Sequence, residues 1–455
     1  MQEYNKQQYV DILTEQIRCR RARSLVSEEI GQHIEDQEQA YLREGMEAEA
    51  ASREAVRQMG DPVETGLALD RIHRPKTDWR ILALVGIITF LGLLVQYLIA
   101  GSMEVSWFSR QVICTEIGIA IMIAVCFADY TLIGKYPLAL WCGFVSFLFI
   151  GISVSRGNTG LSFFPQVHGQ LRIYPLLILL VPLYGGVLYR FRGSGRMGLL
   201  FCGGAAVTGL VLTYMTPNRT AMAELLVIFI AMLLLAVKRG WFRVRKGVGY
   251  LMVLAPAAAA LFLLILGGGL LASRRGYALI RMDAALHPGK YGDSWGYMGT
   301  QLRNVLEQAA LLGGSDARAA AGDFWNTGNI SDLLYSYVIA AYGLLAGVVR
   351  LLLLGGMIAR IFSMAFRQKN QLGCMLGFGC ACLFLTQTTV YVMYNMGYTF
   401  FSPMYLPFFS CAGTGTISLY LLIGLVLSVY RNTNLVKDPP PKRIPRYRLR
   451  LERIS

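Results

Sequence analysis

The chain has 455 residues, of which 55% are hydrophobic and only 16% charged, with a mean hydropathy of +0.46. Water-soluble domains rarely combine those values, and apolar runs of roughly 20 residues, each long enough for a hydrocarbon core of about 30 Å, recur along it. Disordered, collagen-like and disulfide-stapled secreted classes are excluded. The net charge of +15 is unevenly spread: residues 1–78 carry 16 acidic and 11 basic side chains, whereas residues 431–455 carry 8 basic and 2 acidic. Basic charge between apolar runs reports topology and anionic headgroups, so the expected partners include anionic membrane lipids and no nucleic acid.

Residues 1–78 lack an apolar run, so no cleavable signal peptide is expected and the polar head is retained. Its pattern is helical from about Tyr4 to Arg23, from Ser27 to Arg43 with Gly45 closing the turn, and from Ala48 to Met59 with Gly60 closing it. Asp61-Pro62-Val63-Glu64 then restarts a helix, with Asp61 as N-cap, Pro62 at the first position and Glu64 at the capping-box position. His33 reads as a surface or core residue of such a helix.

Ten membrane spans are expected, near 80–101, 111–133, 137–155, 172–189, 197–215, 221–237, 247–271, 333–358, 371–395 and 409–430. An even number puts both termini on one side, and the loops on that side contain Lys135, Arg190, Arg192, Arg196, Lys238, Arg239, Arg243, Arg245, Lys246, Arg360, Arg367 and Lys369. The positive-inside rule therefore makes both termini cytoplasmic. The basic tail with Pro439-Pro440-Pro441 is expected to lie along the inner leaflet. Eight of the nine cysteines sit in apolar runs, and Cys380 and Cys382 point to different sides of a helix, so they read as packing residues with no metal site.

The segment 272–331 is too long for a simple connection, and it carries six basic and five acidic residues with Trp295 and Trp325. It is expected to be a large extracytoplasmic loop where function concentrates. Asp332 follows it and opens an apolar helix, Leu333 to Leu354, where a carboxylate is favoured by the helix N-terminus and reachable by water. Ser331 or Asp332 would also serve there as a plain cap. Of the other intramembrane charges, Glu116, Asp129, Glu224 and Arg350, Glu224 suits a substrate groove or polar network near the outer end of the sixth span. Asp129 and Arg350 are placed nearer inner ends, where they would snorkel. Gly373 and Gly377 form a GxxxG suited to helix packing.

Ser331-Asp332-Leu333-Leu334-Tyr335, followed by Gly343-Leu344-Leu345-Ala346-Gly347, resembles the Thr-Asp-Phe-Ile-Phe…Gly-Leu-x-Gly signature of the SEDS family (shape, elongation, division and sporulation; the FtsW, RodA and SpoVE proteins). Arg281-Met282-Asp283-Ala284-Ala285-Leu286-His287-Pro288, then Gly296-Tyr297 and Gln301, is similar to its Arg-(Leu/Ile)-x-Ala-Phe-Leu-Asn-Pro…Gly-Tyr-Gln run, and Leu312-Gly313-Gly314 fits its Gly-Gly-Leu turn. Gln387, Asn395-Met396-Gly397, Pro403, Leu406-Pro407-Phe408-Phe409-Ser410 and Ala412-Gly413-Thr414 match its downstream pattern. The head resembles the helical prefix module of bacterial permeases through Glu29-Ile30, His33-Ile34, Gly45, Glu54-Ala55 and Gly60-Asp61-Pro62. Three departures stand out. Ala340-Ala341 replace a Glu pair, Pro217-Asn218-Arg219-Thr220 replaces Pro-Asp-Leu-Gly-Thr, and the Gln-Pro-Ser-Glu…Lys run has no counterpart near Gln170 to Leu177.

The resemblance implies an all-α polytopic membrane protein of about ten transmembrane helices over residues 79–430, with a cytoplasmic helical head at 1–78 and a basic cytoplasmic tail at 431–455. It implies peptidoglycan glycosyl transfer in a bacterial cytoplasmic membrane, with lipid II as donor and polyprenyl pyrophosphate as leaving group. Asp332 is the expected catalytic base, and Arg281, Arg275, Arg303, Glu224, Gln301, Gln387 and Asn395 are the expected substrate-binding residues. No cofactor is identified, although the chemistry is compatible with a divalent cation, Mg²⁺ or Mn²⁺. The implied protein partner is a class B penicillin-binding protein, a transpeptidase, docking through small residues such as Gly373 and Gly377. The alternatives are a lipid-II flippase or other permease, and a non-catalytic scaffold.

Overall fold

The computed structural model describes residues 4–100, 105–157, 174–216, 218–266, 277–292, 294, 296–313, 325, 330–400, 405–436 and 438. It divides into two compact units, Met1–Thr77 with Tyr430–Asp438, and a larger one from Asp78 to Val429.

The smaller unit holds α1 (Lys6–Glu15), α2 (Arg20–Arg43), α3 (Ala48–Gln58) and α4 (Pro62–His73). Tyr9, Leu13, Ile17, Ala22, Ile34 and Ala55 recur at helical spacing and bury against one another and Leu435. The expected first helix, Tyr4 to Arg23, is broken at 16–19. There Arg18 N donates to Asp70 (2.9 Å) and Arg23 Nε donates to Ile17 O (2.7 Å), so side chains satisfy a turn that lets α1 pack on both α2 and α4. The Arg18 N–H, with the Arg74 guanidinium at 3.2 Å, holds the Asp70 carboxyl below the usual range. Asp61 accepts from Glu64 N (3.0 Å), the expected N-cap. His33 is exposed.

The larger unit contains α5 (Trp79–Ala100), α6 (Val105–Phe127), α7 (Thr131–Lys135), α8 (Pro137–Gly157), a 3₁₀ turn (Tyr174–Leu179) leading into α9 (Leu180–Arg190), α10 (Arg196–Met215), α11 (Arg219–Lys238) and α12 (Lys246–Leu266). It continues with α13 (Tyr277–Leu286), a 3₁₀ turn (Pro288–Tyr291), α14 (Tyr297–Glu307), α15 (Ile330–Tyr342), α16 (Leu344–Phe366), α17 (Gln371–Asn395) and α18 (Thr414–Arg431). Among the described residues, seven helices (α5, α6, α10, α11, α16, α17 and α18) are long and apolar enough to cross a membrane, and Pro137–Ser153, Pro175–Arg190 and Lys246–Ala259 are shorter apolar helices. The protein is an all-α polytopic membrane protein. In α18, 72% of the span is buried, against 22% in α6, so α18 is central and α6 peripheral. The exposed Phe90 and Leu94 of α5, Ile113, Ile117 and Ile123 of α6, and Phe201 and Val211 of α10 form the apolar exterior that lipid covers. Asp78 caps α5 through Arg80 N and Ile81 N and is salt-bridged to Arg360 at 2.8 Å, so its buried carboxylate is paired.

Two expectations need correction. The run Leu333 to Leu354 is not one helix, because Gly343 (φ +94°) separates α15 from α16 and the spanning helix is Leu344–Phe366. A Cβ at Gly343 would lie 2.8 Å from Leu311 O, so both the left-handed conformation and the close approach require glycine. Gly373 and Gly377 are not on a free surface either: a Cβ there would meet Val429 Cγ1 at 3.0 Å and Ala365 Cβ at 2.9 Å. Their closeness serves packing of α17 against α18 and α16, leaving no groove there for a partner's span.

Candidate active site

Helix α15 folds back along α16, for a Cβ at Gly347 would meet Ile339 Cγ1 at 2.7 Å and the Tyr335 hydroxyl at 3.3 Å. Its N-terminal turn, Ser331-Asp332, consequently sits inside the bundle and not at its rim. Tyr391 OH donates to Ser331 O (2.8 Å), and Ser410 Oγ donates to the same oxygen (3.2 Å) while accepting from Leu406 N (3.0 Å). Cys411 N donates to Ser331 Oγ (3.0 Å), and Gln96 of α5 donates to Phe409 O, fixing the segment that carries Ser410.

Asn395 completes the frame. Its Nδ2 donates to Asp332 O and Tyr391 O, both at 3.0 Å, and its Oδ1 accepts from Ser336 N (3.1 Å) and Ser336 Oγ (2.9 Å). Two donors and two acceptors exhaust a carboxamide, and the residue is fully buried. Asn395 thus spends its amide within the chain, on the turn that carries Asp332. With the Ser331 and Asp332 carbonyls both held, Asp332 stays only partly buried. Its carboxylate lies at a helix N-terminus, within electrostatic reach of Tyr391.

A polar stripe runs from this frame into the bundle, because Asn395, Tyr391 and Gln387 are spaced four apart on α17 and all are fully buried. The neighbouring α11 is antiparallel: Gly379 packs against Met232, and Cys374 feels Arg239. Eight residues from the Met232 contact on each helix, towards the Asp332 end, lie Glu224 and Gln387. Glu224 is 4% exposed with Oε1 unpaired, and both amide atoms of Gln387 lack a partner. Polar atoms orphaned in a membrane interior are costly enough to mark a binding or proton-carrying position.

The loop residues are distributed differently. Arg275 lies outside the described residues, and Arg281 is on α13. Gln301 is half-buried on α14, and Arg303 is held against the Tyr398 ring while donating to Ala285 O (3.4 Å). Gly397 (φ +86°) leaves space for the Arg303 stem, which a Cβ would approach to 2.7 Å. Asp283 gathers the loop by accepting from Tyr291 OH (2.7 Å), Lys290 Nζ (3.0 Å) and the His287 ring (3.0 Å), and these bonds, Tyr291 first, lower its pKa to about 2. Trp325 packs edge-on against Tyr337 of α15, centroids 5.2 Å apart.

Arg350 differs most from expectation. Because the span begins at Leu344, Arg350 lies two turns from the Gly343 end and is 5% exposed, and it does not snorkel at the inner end. Asp129 does lie at the far end, where its Oδ1 accepts from Thr131 N (3.0 Å), while Glu116 is exposed on α6. Tyr391, Ser410 and Gln96 were missed as site residues. For Tyr391 the signal was its i, i+4 spacing to both Gln387 and Asn395. Arg110, on α6, approaches the Cys411 thiol closely enough to hydrogen-bond it. Among the described residues there is no cluster of three His, Cys, Asp or Glu. Of the described residues, Asp332 is the one that a divalent cation beside the substrate would rest on, together with ligand oxygens. A groove of about 550 Å³ lined by Val125, Phe144, Phe147, Pro182 and Leu421 is apolar and lies at the Asp129 end, away from this chemistry.

The sequence model of the FtsW/RodA/SpoVE family, described as "Cell cycle protein", matches residues 76–435. Two proteins described as "Probable peptidoglycan glycosyltransferase FtsW" are similar. That of Thioalkalivibrio sulfidiphilus (strain HL-EbGR7) is 26% identical over 247 residues, 54% of this chain and 57% of that protein. That of Enterococcus hirae is 30% identical over 99 residues, 22% and 25%. The matched stretches therefore span about a quarter to just over half of these relatives. A chain from the complex described as "Structural coordination of polymerization and crosslinking by a peptidoglycan synthase complex" superposes with a TM-score of 0.64 at 19% identity, covering 79% of this chain and 98% of that one. The rod shape determining protein RodA of Thermus thermophilus gives 0.53 at 17%, with the same coverages.

Proposed function

Because the chain belongs to the FtsW/RodA/SpoVE family, we propose that it is a membrane-embedded peptidoglycan glycosyltransferase that polymerises a lipid-linked disaccharide, lipid II. The carrying observation is the placement of Asp332, a half-buried residue whose own carbonyl is held by Asn395 and whose preceding carbonyl, of Ser331, is held by Tyr391 and Ser410. A sugar 4-hydroxyl is a weak nucleophile until a positioned base takes its proton. Asp332 removes that proton as the oxygen bonds to the donor's anomeric carbon. The bond from that carbon to the diphosphate oxygen breaks with its electron pair, releasing polyprenyl diphosphate. The oxygen frame fixes the base before substrate arrives, which lowers the reorganisation needed at the reacting centre.

The reading extends to topology and partners. The Asp332 end faces outward, both termini are cytoplasmic, and the head at 1–78 and the basic tail at 431–455 flank the transferase. A class B transpeptidase cross-links the emerging glycan, an expectation supported by the fold shared with a chain of a peptidoglycan synthase complex. Its docking surface lies elsewhere than Gly373 and Gly377, which are occupied internally. Incubation of the purified chain with lipid II tests the transferase directly: glycan polymer is the expected product. Its absence, with headgroup translocation in vesicles, would replace the transferase by a flippase, and absence of both would leave a scaffold.

A further inference from the structure

Arg350 is a buried guanidinium that the transfer step, as derived, does not use. It is 5% exposed, and its Nε and Nη2 have no hydrogen-bond partner. These two nitrogens form one edge of the guanidinium, the edge that offers two parallel N–H bonds to a carboxylate or phosphate. The guanidinium carbon sits over the ring of Phe409, the residue next to Ser410 of the Asp332 frame, and Tyr335 and Tyr391 lie within electrostatic reach of it. The planar group is thus held by ring packing while its fork remains unfilled.

Its depth is set by helix register. Gly377 of α17 packs against Ala365 and Met364 of α16, so the antiparallel pair brings Arg350 level with Tyr391, consistent with the electrostatic contact between them. Tyr391 OH in turn holds Ser331 O, so the fork lies at the depth of the Ser331-Asp332 turn. A buried cation without an anion is unfavourable in a bundle interior. Glu224, the other buried carboxyl of this region, lies about one turn deeper, level with Gln387, and Arg350 forms no salt bridge with it.

We propose that Arg350 binds the diphosphate of a polyprenyl-linked donor through its Nε–Nη2 edge. The proposal rests on the transferase reading and deepens it. Base to acceptor oxygen and acceptor oxygen to anomeric carbon are each gaps of about 3 Å, so the departing diphosphate must lie within a few bond lengths of the base. A cation level with Asp332 on an adjoining helix meets that demand. As the phosphate–carbon bond breaks, negative charge grows on the bridging oxygen, and a preorganised fork stabilises it.

The test measures binding of undecaprenyl diphosphate to the full chain in detergent micelles, with undecaprenyl monophosphate, phosphatidylglycerol and inorganic pyrophosphate as separate arms. Wild type should bind the lipid diphosphate, and Arg350→Gln should weaken it at least tenfold. Arg350→Lys, which keeps charge but loses the fork, should fall between. Equal tenfold losses for inorganic pyrophosphate would place recognition in the diphosphate itself, and phosphatidylglycerol binding should not change. Asp332→Asn should bind normally while failing to polymerise. Should Arg350→Gln not fold, the Lys variant and the thermal stabilisation of wild type by the diphosphate carry the test. Undiminished diphosphate binding in folded variants overturns the proposal, as does absence of binding by wild type. If wild type nevertheless polymerises lipid II, only this inference falls. Arg350-dependent binding without polymer removes the transferase instead.

Discussion

Asn395 uses every hydrogen-bonding position of its amide on three main-chain groups and one serine hydroxyl, so the first turn of α15 is fixed by a side chain from α17. Asn395→Ala strands the Ser336 N–H in the interior, at about 1–3 kcal/mol for the unsatisfied group, while the Ser336 hydroxyl keeps its bond to the main-chain oxygen of residue 395 (2.8 Å). We expect a thermal transition lowered by several degrees and a large fall in kcat as Asp332 drifts. Tyr391→Phe removes one bond, to Ser331 O, and should cost about 1 kcal/mol. It should lower kcat with KM unchanged, since it touches the frame and not the ligand; an altered KM with constant kcat would reassign Tyr391 to substrate. At Asp283 the folded pKa, about 2, lies below the unfolded value near 3.9. Its stabilising contribution is therefore complete above about pH 4 and lost as pH falls towards 2. Pepsin cleavage within 277–307 should rise across that window, and Asp283→Asn should be cleaved rapidly at both ends of it.

At the scale of elements, the reversal at Gly343 decides where the chemistry lies. Gly343→Ala forces a Cβ into the left-handed region and against Leu311 O, which should cost about 1–3 kcal/mol. Gly355→Ala in the same span meets nothing within 4 Å and serves as the control, expected to leave unfolding unchanged or slightly delayed. The run from Leu333 to Leu354 reads as one helix because hydropathy has no term for reversal, and a single glycine in an apolar run seldom breaks a span. That misplacement carried Arg350 to the wrong end. The stop at residues 16–19 was hidden for a related reason: its bonds come from the side chains of Asp70 and Arg23, partners invisible to local periodicity. Gly373 and Gly377 were legible as a packing motif, but sequence could not say that the packed neighbours are Val429 and Ala365 of the same chain.

For the whole molecule, the apolar spans, the polar head and the position of Asp332 at a helix start were readable, since each depends on composition or on a local motif. The frame around Asp332 was not, because it joins Ser331, Ser336, Tyr391, Asn395 and Ser410 across as many as 79 positions of sequence. Family membership and fold place the chain among FtsW/RodA/SpoVE proteins, while Ala340-Ala341 and Pro217-Asn218-Arg219-Thr220 set it apart in sequence. The decisive measurement is the rate of glycan polymerisation from lipid II by the purified chain beside Asp332→Asn, which keeps the size of the side chain and removes its charge. The account predicts polymer from wild type and a rate lower by about 10²- to 10⁴-fold in the variant, with an unchanged thermal transition. Equal rates in the two proteins would contradict it, leaving Asp332 as a first-turn carboxylate that complements the N-terminus of α15.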